Sequence, residues 1–335
     1  MEYRIFFALL GGLALFLYGM HQMSEGLNAA AGEKMKQILE RLTKNRFLGV
    51  GVGAAVTAVI QSSSATTVMV VGFVNSGMMT LRQAVWIIMG ANIGTTITGQ
   101  LIALDAGAVA PLLAFFGVVL ILFAGKDRIR YTGGIVAGLG ILFIGMDMMG
   151  EAMQPLCDSQ VFLRAMTRFE HPVLGILAGA AFTAAIQSSS ASVGILQTLA
   201  QGGAVSFAGA VYVLFGQNIG TCITAVLAAI GTGRNAKRTT IIHLSFNLIG
   251  TVVFTVLCMT TPLVSLVAQL TPGRPAAQIA NMHTIFNIGT TLLLLPAGNL
   301  LAGMAEHLLP DKKSESLAAE QRKAACKKVE DVWNS

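Results

Sequence analysis

The feature that most restricts this chain is a polar word written twice. Ala55 to Thr66 reads AVTAVIQSSSAT, and Ala181 to Ser192 reads AFTAAIQSSSAS, an offset of 126 (187 − 61). A second word follows each copy at the same shift: GANIGTTIT from Gly90 to Thr98 and GQNIGTCIT from Gly216 to Thr224. Upstream, Gly12, Gly19, Met20, Met23 and Glu25 answer to Gly138, Gly145, Met146, Met149 and Glu151. The registration runs without gaps from Gly12 to Thr98, so the chain is built on an internal duplication.

These polar words sit in an apolar chain. Of 335 residues, 54% are hydrophobic and 11% charged, against about 25% charged in a soluble domain. The mean hydropathy is +0.70. Too few polar groups remain to cover a globule, so the expected surroundings are lipid. Apolar runs of spanning length extend over Ile5 to Met23, Ala108 to Ala124, Gly133 to Met149, Ile241 to Met259 and Ile279 to Met304. The first run has no small-residue cleavage site after it and more spans behind it, and reads as a retained helix. The four cysteines, Cys157, Cys222, Cys258 and Cys326, lack metal-like or paired spacing and read as apolar filler. The net charge of +6 is mostly a tail effect, with Lys312, Lys313, Arg322, Lys323, Lys327 and Lys328 beyond the last run. Nothing in the pattern suggests nucleic acid.

The basic residues orient the chain. With the N-terminus outside, the first span brings Lys34, Lys36, Arg41, Lys44 and Arg46 inside. Phe47 to Gly77 then reads as a re-entrant hairpin: two apolar arms around the Gln-Ser-Ser-Ser turn, each too short to span, returning inside near Arg82. One continuous helix is the alternative, but at about 31 residues it is long for a single tilted span. Two crossings place Lys126, Arg128 and Arg130 inside, so the second copy starts on the side opposite the first. Its hairpin, Pro172 to Gly203, opens outside, and the following crossings bring Arg234, Lys237, Arg238 and the tail inside. Only Arg4, Arg164, Arg168 and Arg274 are left outside. The expected fold is therefore an all-α polytopic membrane protein with inverted repeats, about seven crossings and two re-entrant hairpins. The expected units are 1–130, 131–258, an added span at 259–305 and a basic cytoplasmic tail at 306–335.

Irregular backbone at membrane depth has to line a cavity. The turn in each hairpin exposes amide N–H groups at the start of the second arm, where the helix dipole attracts anions. Ser62, Ser63, Ser64 and Thr66 add rotatable hydroxyl donors, and Ser188, Ser189, Ser190 and Ser192 repeat them from the opposite leaflet. Asn92 and Asn218 join this substrate set. Their Asn-Ile-Gly-Thr words look like helix breaks whose carbonyls, with the hydroxyls of Thr95, Thr98, Thr221 and Thr224 and the amide oxygens of Gln61 and Gln187, suit sodium. No Lys or Arg falls inside a span away from its ends, so a bound anion needs cations to offset its charge, which favours cation coupling.

A third word recurs as His243-Leu-Ser-Phe-Asn247 and His283-Thr-Ile-Phe-Asn287. Its histidines fit either helix-packing hydrogen bonds or a proton relay. Asp147, Glu151 and Glu25 read as interfacial and Asp105 as a loop residue. An intramembrane serine enzyme is not expected: Gly-x-Ser-x-Gly is absent and neither histidine lies in a nucleophile motif.

Two Gln-Ser-Ser-Ser words in inverted repeats, each followed by Asn-Ile-Gly-Thr, resemble the type II sodium/phosphate cotransporters and their bacterial relatives. The resemblance covers about Gly11 to Gly303. It implies a multi-pass protein of the cell membrane that imports inorganic phosphate with sodium by alternating access. It implies Ser62, Ser63, Ser64, Ser188, Ser189 and Ser190 for phosphate. For one sodium ion it implies Gln187, Ser188, Thr221 and Thr224, with Gln61, Thr95 and Thr98 as the mirrored set. Cys222 departs from Thr96 of the first copy, so the two cation sets need not be equivalent. Bacterial relatives often continue into a soluble PhoU-like helical domain, and the tail resembles its beginning. Expected partners are phosphate, sodium ions and the lipid bilayer, with a homo-oligomer left open. The alternatives are a phosphate sensor without net transport and a cotransporter of another oxyanion.

Overall fold

The computed structural model describes residues 2–31, 45–104, 106–157 and 167–310. The basic cluster Lys34, Lys36, Arg41 and Lys44, the loop residues Asp105 and Arg164, and the tail from 311 onward lie outside the described residues.

The described residues are helical, without strands. The first copy of the repeat folds as α1 (Glu2–Ala31), α2 (Arg46–Ile60), α3 (Ser63–Asn75), α4 (Leu81–Ile102) and α5 (Ala110–Phe123). The second folds as α6 (Asp127–Cys157), α7 (Pro172–Ile186), α8 (Ser189–Gln201), α9 (Phe207–Gly220), α10 (Cys222–Ala229) and α11 (Arg234–Thr260). Helices α12 (Leu263–Leu270), α13 (Pro275–Leu294) and α14 (Gly298–Leu308) follow. Large apolar side chains such as Phe6, Phe7, Phe115, Phe116 and Phe123 face outward, while Thr57, Thr66, Gln197, Asn247 and Asn287 are buried. That inversion of polarity belongs to a polytopic membrane protein.

Among the described residues five helices are long and apolar enough to cross a bilayer, namely α1, α4, α6, α9 with α10, and α11, and the bent pair α13 with α14 makes a sixth if it is one span. The run from Ile279 to Met304 is not one straight span. It breaks between α13 and α14, which meet at 80°, where Pro296 cannot continue the helix. The run from Ala108 to Ala124 forms α5, only 14 residues long after a 3-10 turn at Gly107–Val109. At 1.5 Å per residue this reaches about 21 Å, less than the roughly 30 Å hydrocarbon core.

Glycines decide how the helices pair. A Cβ on Gly90 would lie 2.0 Å from Val50 O, and one on Gly94 2.4 Å from Ala54 O. In the second copy, a Cβ on Gly216 would lie 2.0 Å from Ile176 O and one on Gly220 2.4 Å from Ala180 O. Residue numbers rise together along both partners, so α2 is parallel to α4 and α7 to α9. Since α3 ends just before α4 begins, and α8 just before α9, each second arm must run back towards the base from which the first arm rose. Both Gln-Ser-Ser-Ser segments are thus helical hairpins. The expectation of helix breaks in the downstream words needs correction. Helix α4 passes unbroken through Asn92 to Thr98, and the second copy is interrupted only at Thr221. Gly94 and Gly220 admit the neighbouring helix; they do not stop their own.

Helices α1 and α6 also pack through glycine, and reciprocally. Gly12 meets Gly145 and Gly19 meets Gly138, with Cβ-to-carbonyl distances of 2.5–2.8 Å. Gly138 is the counterpart of Gly12 and Gly145 that of Gly19, so each contact recurs with the two copies exchanged. Two groups of contacts mark opposite ends of the bundle. At one end Gly233 N donates to Asn75 Oδ1 at 2.9 Å and Arg238 Nε to Leu309 O at 3.0 Å. At the other Arg274 Nη2 donates to Ala103 O at 3.1 Å.

This packing predicts a contrast. Gly90→Ala puts a methyl into a carbonyl and should cost about 1–3 kcal/mol of stability or more. Gly51→Ala meets nothing within 4 Å and should stabilise α2 by about 0.5–1 kcal/mol. Thermal unfolding of the two variants in detergent, followed by size-exclusion chromatography, checks the sign of each.

Candidate functional site

Each hairpin turns on a glutamine. Gln61 has φ 58° and Gln187 φ 59°, and among the described residues no other non-glycine residue has a positive φ. The left-handed residue caps the first arm: Gln61 N donates to Thr57 O at 2.8 Å and Gln187 N to Thr183 O at 2.7 Å. The next serine caps the second arm. Ser62 Oγ accepts from Ala65 N at 3.1 Å and Ser188 Oγ from Ala191 N at 3.3 Å. Each capping hydroxyl accepts one bond and keeps its own proton to donate. A glycine would cost less in the left-handed conformation, but it would bring no amide side chain to the tip.

The two tips meet. Ser63 Oγ lies 3.4 Å from Ser189 Oγ, its counterpart in the other copy. Thr95 Oγ1 donates to Ser63 Oγ at 3.3 Å, bringing α4 to the same point. Ser63, Ser189 and Ser190 are buried; Ser62, Ser64 and Ser188 are partly so. The N-termini of α3 and α8 therefore end on one spot, with free N–H groups, hydroxyl donors and positive dipole ends. Among the described residues this is the place where the duplicated polar words touch, and its chemistry suits an oxyanion.

The cation set of the first copy is gathered. Thr98 Oγ1 donates to Gln61 Oε1 at 2.7 Å and Gln61 is buried. The hydroxyls of Thr95 and Thr98 and the amide oxygen of Gln61 give neutral hard oxygens of the kind sodium accepts. The equivalent set in the second copy is spread out. Thr221 Oγ1 donates to Gln217 O at 2.9 Å and Thr224 Oγ1 to Thr221 O at 3.0 Å, both within their own helices. Gln187 is exposed.

Asn92 and Asn218 both turn an amide nitrogen onto their own helix, to Ile88 O at 2.8 Å and Leu214 O at 2.9 Å. The oxygen of Asn218 faces α13, within 3.4 Å of His283 Nε2 and 3.5 Å of Asn287 Nδ2. Thr66 Oγ1 accepts from Thr57 Oγ1 at 2.9 Å, whereas the hydroxyls of its counterpart Ser192 and of the matching Thr183 have no partner among the described residues. Thr57 and Thr183 belong to the support of the tips, although the sequence reading singled out neither. Their signal was present, since both stand in the duplicated word. Gln197, wholly buried in α8, had no such signal because Val71 occupies its place in the first copy.

A helical membrane protein whose duplicated polar words meet at paired hairpin tips is the class these features define. The chain belongs to the Na+/Pi-cotransporter family, which it matches twice, over residues 15–151 and 147–286. It is 34% identical to the uncharacterized protein YqeW of Bacillus subtilis over 90% of this chain and 97% of that one. It is 29% identical to YjbB of Salmonella typhimurium, provisionally named an inorganic phosphate export protein, over 91% of this chain but 56% of the relative. A 98-residue stretch is 40% identical to human sodium-dependent phosphate transport protein 2B, covering 29% of this chain and 14% of that one. No solved structure matches the chain.

The contact of the tips is directly testable. A Ser63→Cys, Ser189→Cys double variant in a background without native cysteines should form a disulfide on mild oxidation. Cleavage between the copies at an inserted protease site should then leave one band without reductant and two with it. Two bands under both conditions would separate the tips.

Proposed function

We propose that this protein is a sodium-coupled phosphate transporter that binds phosphate between the two hairpin tips. The observation that carries the reading is the approach of Ser63 to Ser189 at 3.4 Å, which joins two helix N-termini across the duplication. Membership of the Na+/Pi-cotransporter family supports phosphate as the cargo. Phosphate would take hydrogen bonds from Ser62, Ser63, Ser64, Ser188, Ser189 and Ser190, with Thr66, Ser192, Asn92 and Asn218 lending support from behind.

Sodium would use Gln61, Thr95 and Thr98 in the first copy and Gln187, Ser188, Thr221 and Thr224 in the second. The donors are neutral, so a divalent anion cannot be held here on hydrogen bonds alone without large cost. Bound sodium offsets that charge. The inverted orientation, with the N-terminus outside, is supported by the end-to-end contacts: the base of the first hairpin, Arg234, Arg238 and the end of α14 share one face of the bundle. That face carries the basic residues and is read as cytoplasmic. The copies would exchange access by moving against each other.

We assign import as the working direction, driven by an inward sodium gradient. The relatives named for export do not conflict with this site, because a coupled carrier runs towards whichever gradient is larger. Proteoliposomes with an imposed sodium gradient should accumulate radiolabelled phosphate. Accumulation should collapse when sodium is replaced by choline, and uptake indifferent to the gradient would refute the coupling. Ser63→Ala and Ser189→Ala should each weaken phosphate affinity about tenfold, as expected for one hydrogen bond to a charged ligand. Unchanged transport in both would refute the assigned site. Excess arsenate, sulfate or succinate in competition identifies any other preferred anion.

A further inference from the structure

Two buried acceptors share one gap beside the hairpin tips. Gln197, on α8, donates through Nε2 to Gly99 O at 3.0 Å and to Ala276 O at 2.9 Å. Both donors of its amide are spent, so the group cannot flip, and Oε1 has no partner among the described residues. His283, on α13, faces Asn218 Oδ1 with Nε2. Asn218 already commits its amide nitrogen to Leu214 O, so its oxygen calls for a proton on Nε2. A neutral His283 therefore keeps a bare lone pair on Nδ1, which likewise has no partner among the described residues.

Both lone pairs border Gly99. A Cβ at Gly99 would lie 3.6 Å from Val193 Cγ1, 3.8 Å from His283 Nδ1 and 4.0 Å from Gln197 Oε1. Gln197 is 0% and His283 2% exposed. Two unmet acceptors this deep are costly, and what they lack is a donor. The gap is also close to the site. Gly99 follows Thr95 by one turn on α4, and Val193 follows Ser189 by one turn on α8, so the gap lies about 5–6 Å along both helices from the tips. The second copy has no equivalent: Ala225 stands in the place of Gly99, and Val71 answers Gln197.

We propose that the gap between Gln197 and His283 is a proton-binding site serving the tip site. A proton delivered by hydronium adds to Nδ1 and leaves water behind. The imidazolium then donates from Nδ1 towards Gln197 and from Nε2 to Asn218. Its positive charge stands one turn from the point where the tips meet, where the chain otherwise offers no cation. No competing charge faces it from the packed elements. The titratable side chains there are Arg82 on α4, Tyr212 on α9, Cys222 on α10, and Arg234, Lys237, Arg238, His243 and Cys258 on α11. Helices α8 and α12 carry none, and α13 carries only His283.

The link to anion binding rests on the phosphate reading; the proton site does not. The test is a 15N NMR titration of the imidazoles of the full chain in lipid nanodiscs, from pH 8 to 5, with and without inorganic phosphate. The His283→Gln variant assigns the signal. His283 should become doubly protonated within this range. Its midpoint should fall by at least one pH unit in Gly99→Ala, whose methyl makes only ordinary contacts, and in Gln197→Leu. Added phosphate should raise the wild-type midpoint. A His283 that stays neutral throughout, with and without phosphate, overturns the proposal, as does an unchanged midpoint in both variants. A normal titration that ignores phosphate upholds the proton site and counts against the phosphate reading alone.

Discussion

A helix that stops inside a membrane leaves backbone groups that lipid cannot satisfy. The rest of this fold answers that constraint. Gln61 and Gln187 close the first arms by turning left-handed, and Ser62 and Ser188 open the second arms by capping them. The first arms are then pressed onto α4 and α9 through glycines that bring backbones into contact. The same requirement that hides the tips also brings them together. On the proposed reading, amide and hydroxyl donors too costly to leave in lipid would be satisfied by a shared ligand.

The copies share a backbone plan but not a polar state. In the first, Thr57 bonds Thr66, Thr98 bonds Gln61, and Ser24 Oγ ties down Ile60 O at 2.9 Å. In the second, the hydroxyls of Thr183 and Ser192 lack partners among the described residues, and Gly150 occupies the position of Ser24. One hairpin is tied at its own tip, while the other is tied along its second arm, where Gln217 Nε2 donates to Ser192 O and Gln197 Nε2 to Gly99 O and Ala276 O. On the carrier reading, that difference gives the two sides unequal freedom to move, which sequence symmetry alone would not produce.

The hairpins were legible because their signal is chemical: a run of hydroxyls where apolar residues are expected. The arms end within two residues of the expected 47–77 and 172–203 limits. The Asn-Ile-Gly-Thr words were harder to read. A glycine inside a helix weakens it and also lets a neighbour approach, and sequence cannot tell which effect dominates. Here the carbonyls of Ala54 and Ala180 settle it in favour of close approach. The 80° bend between α13 and α14 was masked by the apolar run around Pro296. Gln197 escaped notice because one polar residue in an apolar helix carries no pattern until the fold sets it beside His283.

The absence of a fixed cation near the tips, among the described residues, has a thermodynamic consequence. A site of neutral donors binds a multivalent anion well only when positive charge arrives with it. Any cation that binds within a few ångströms must then tighten the anion, and the anion must tighten the cation by the same factor. A permanent arginine would give affinity without this reciprocity, because its charge would be present whether or not a coupling ion had bound. On the proposed reading, hydroxyls and amides at the tips would make the anion's affinity depend on the ions bound with it. On that reading the polarity that first set the Gln-Ser-Ser-Ser words apart would suit coupling as well as recognition, because those words are uncharged.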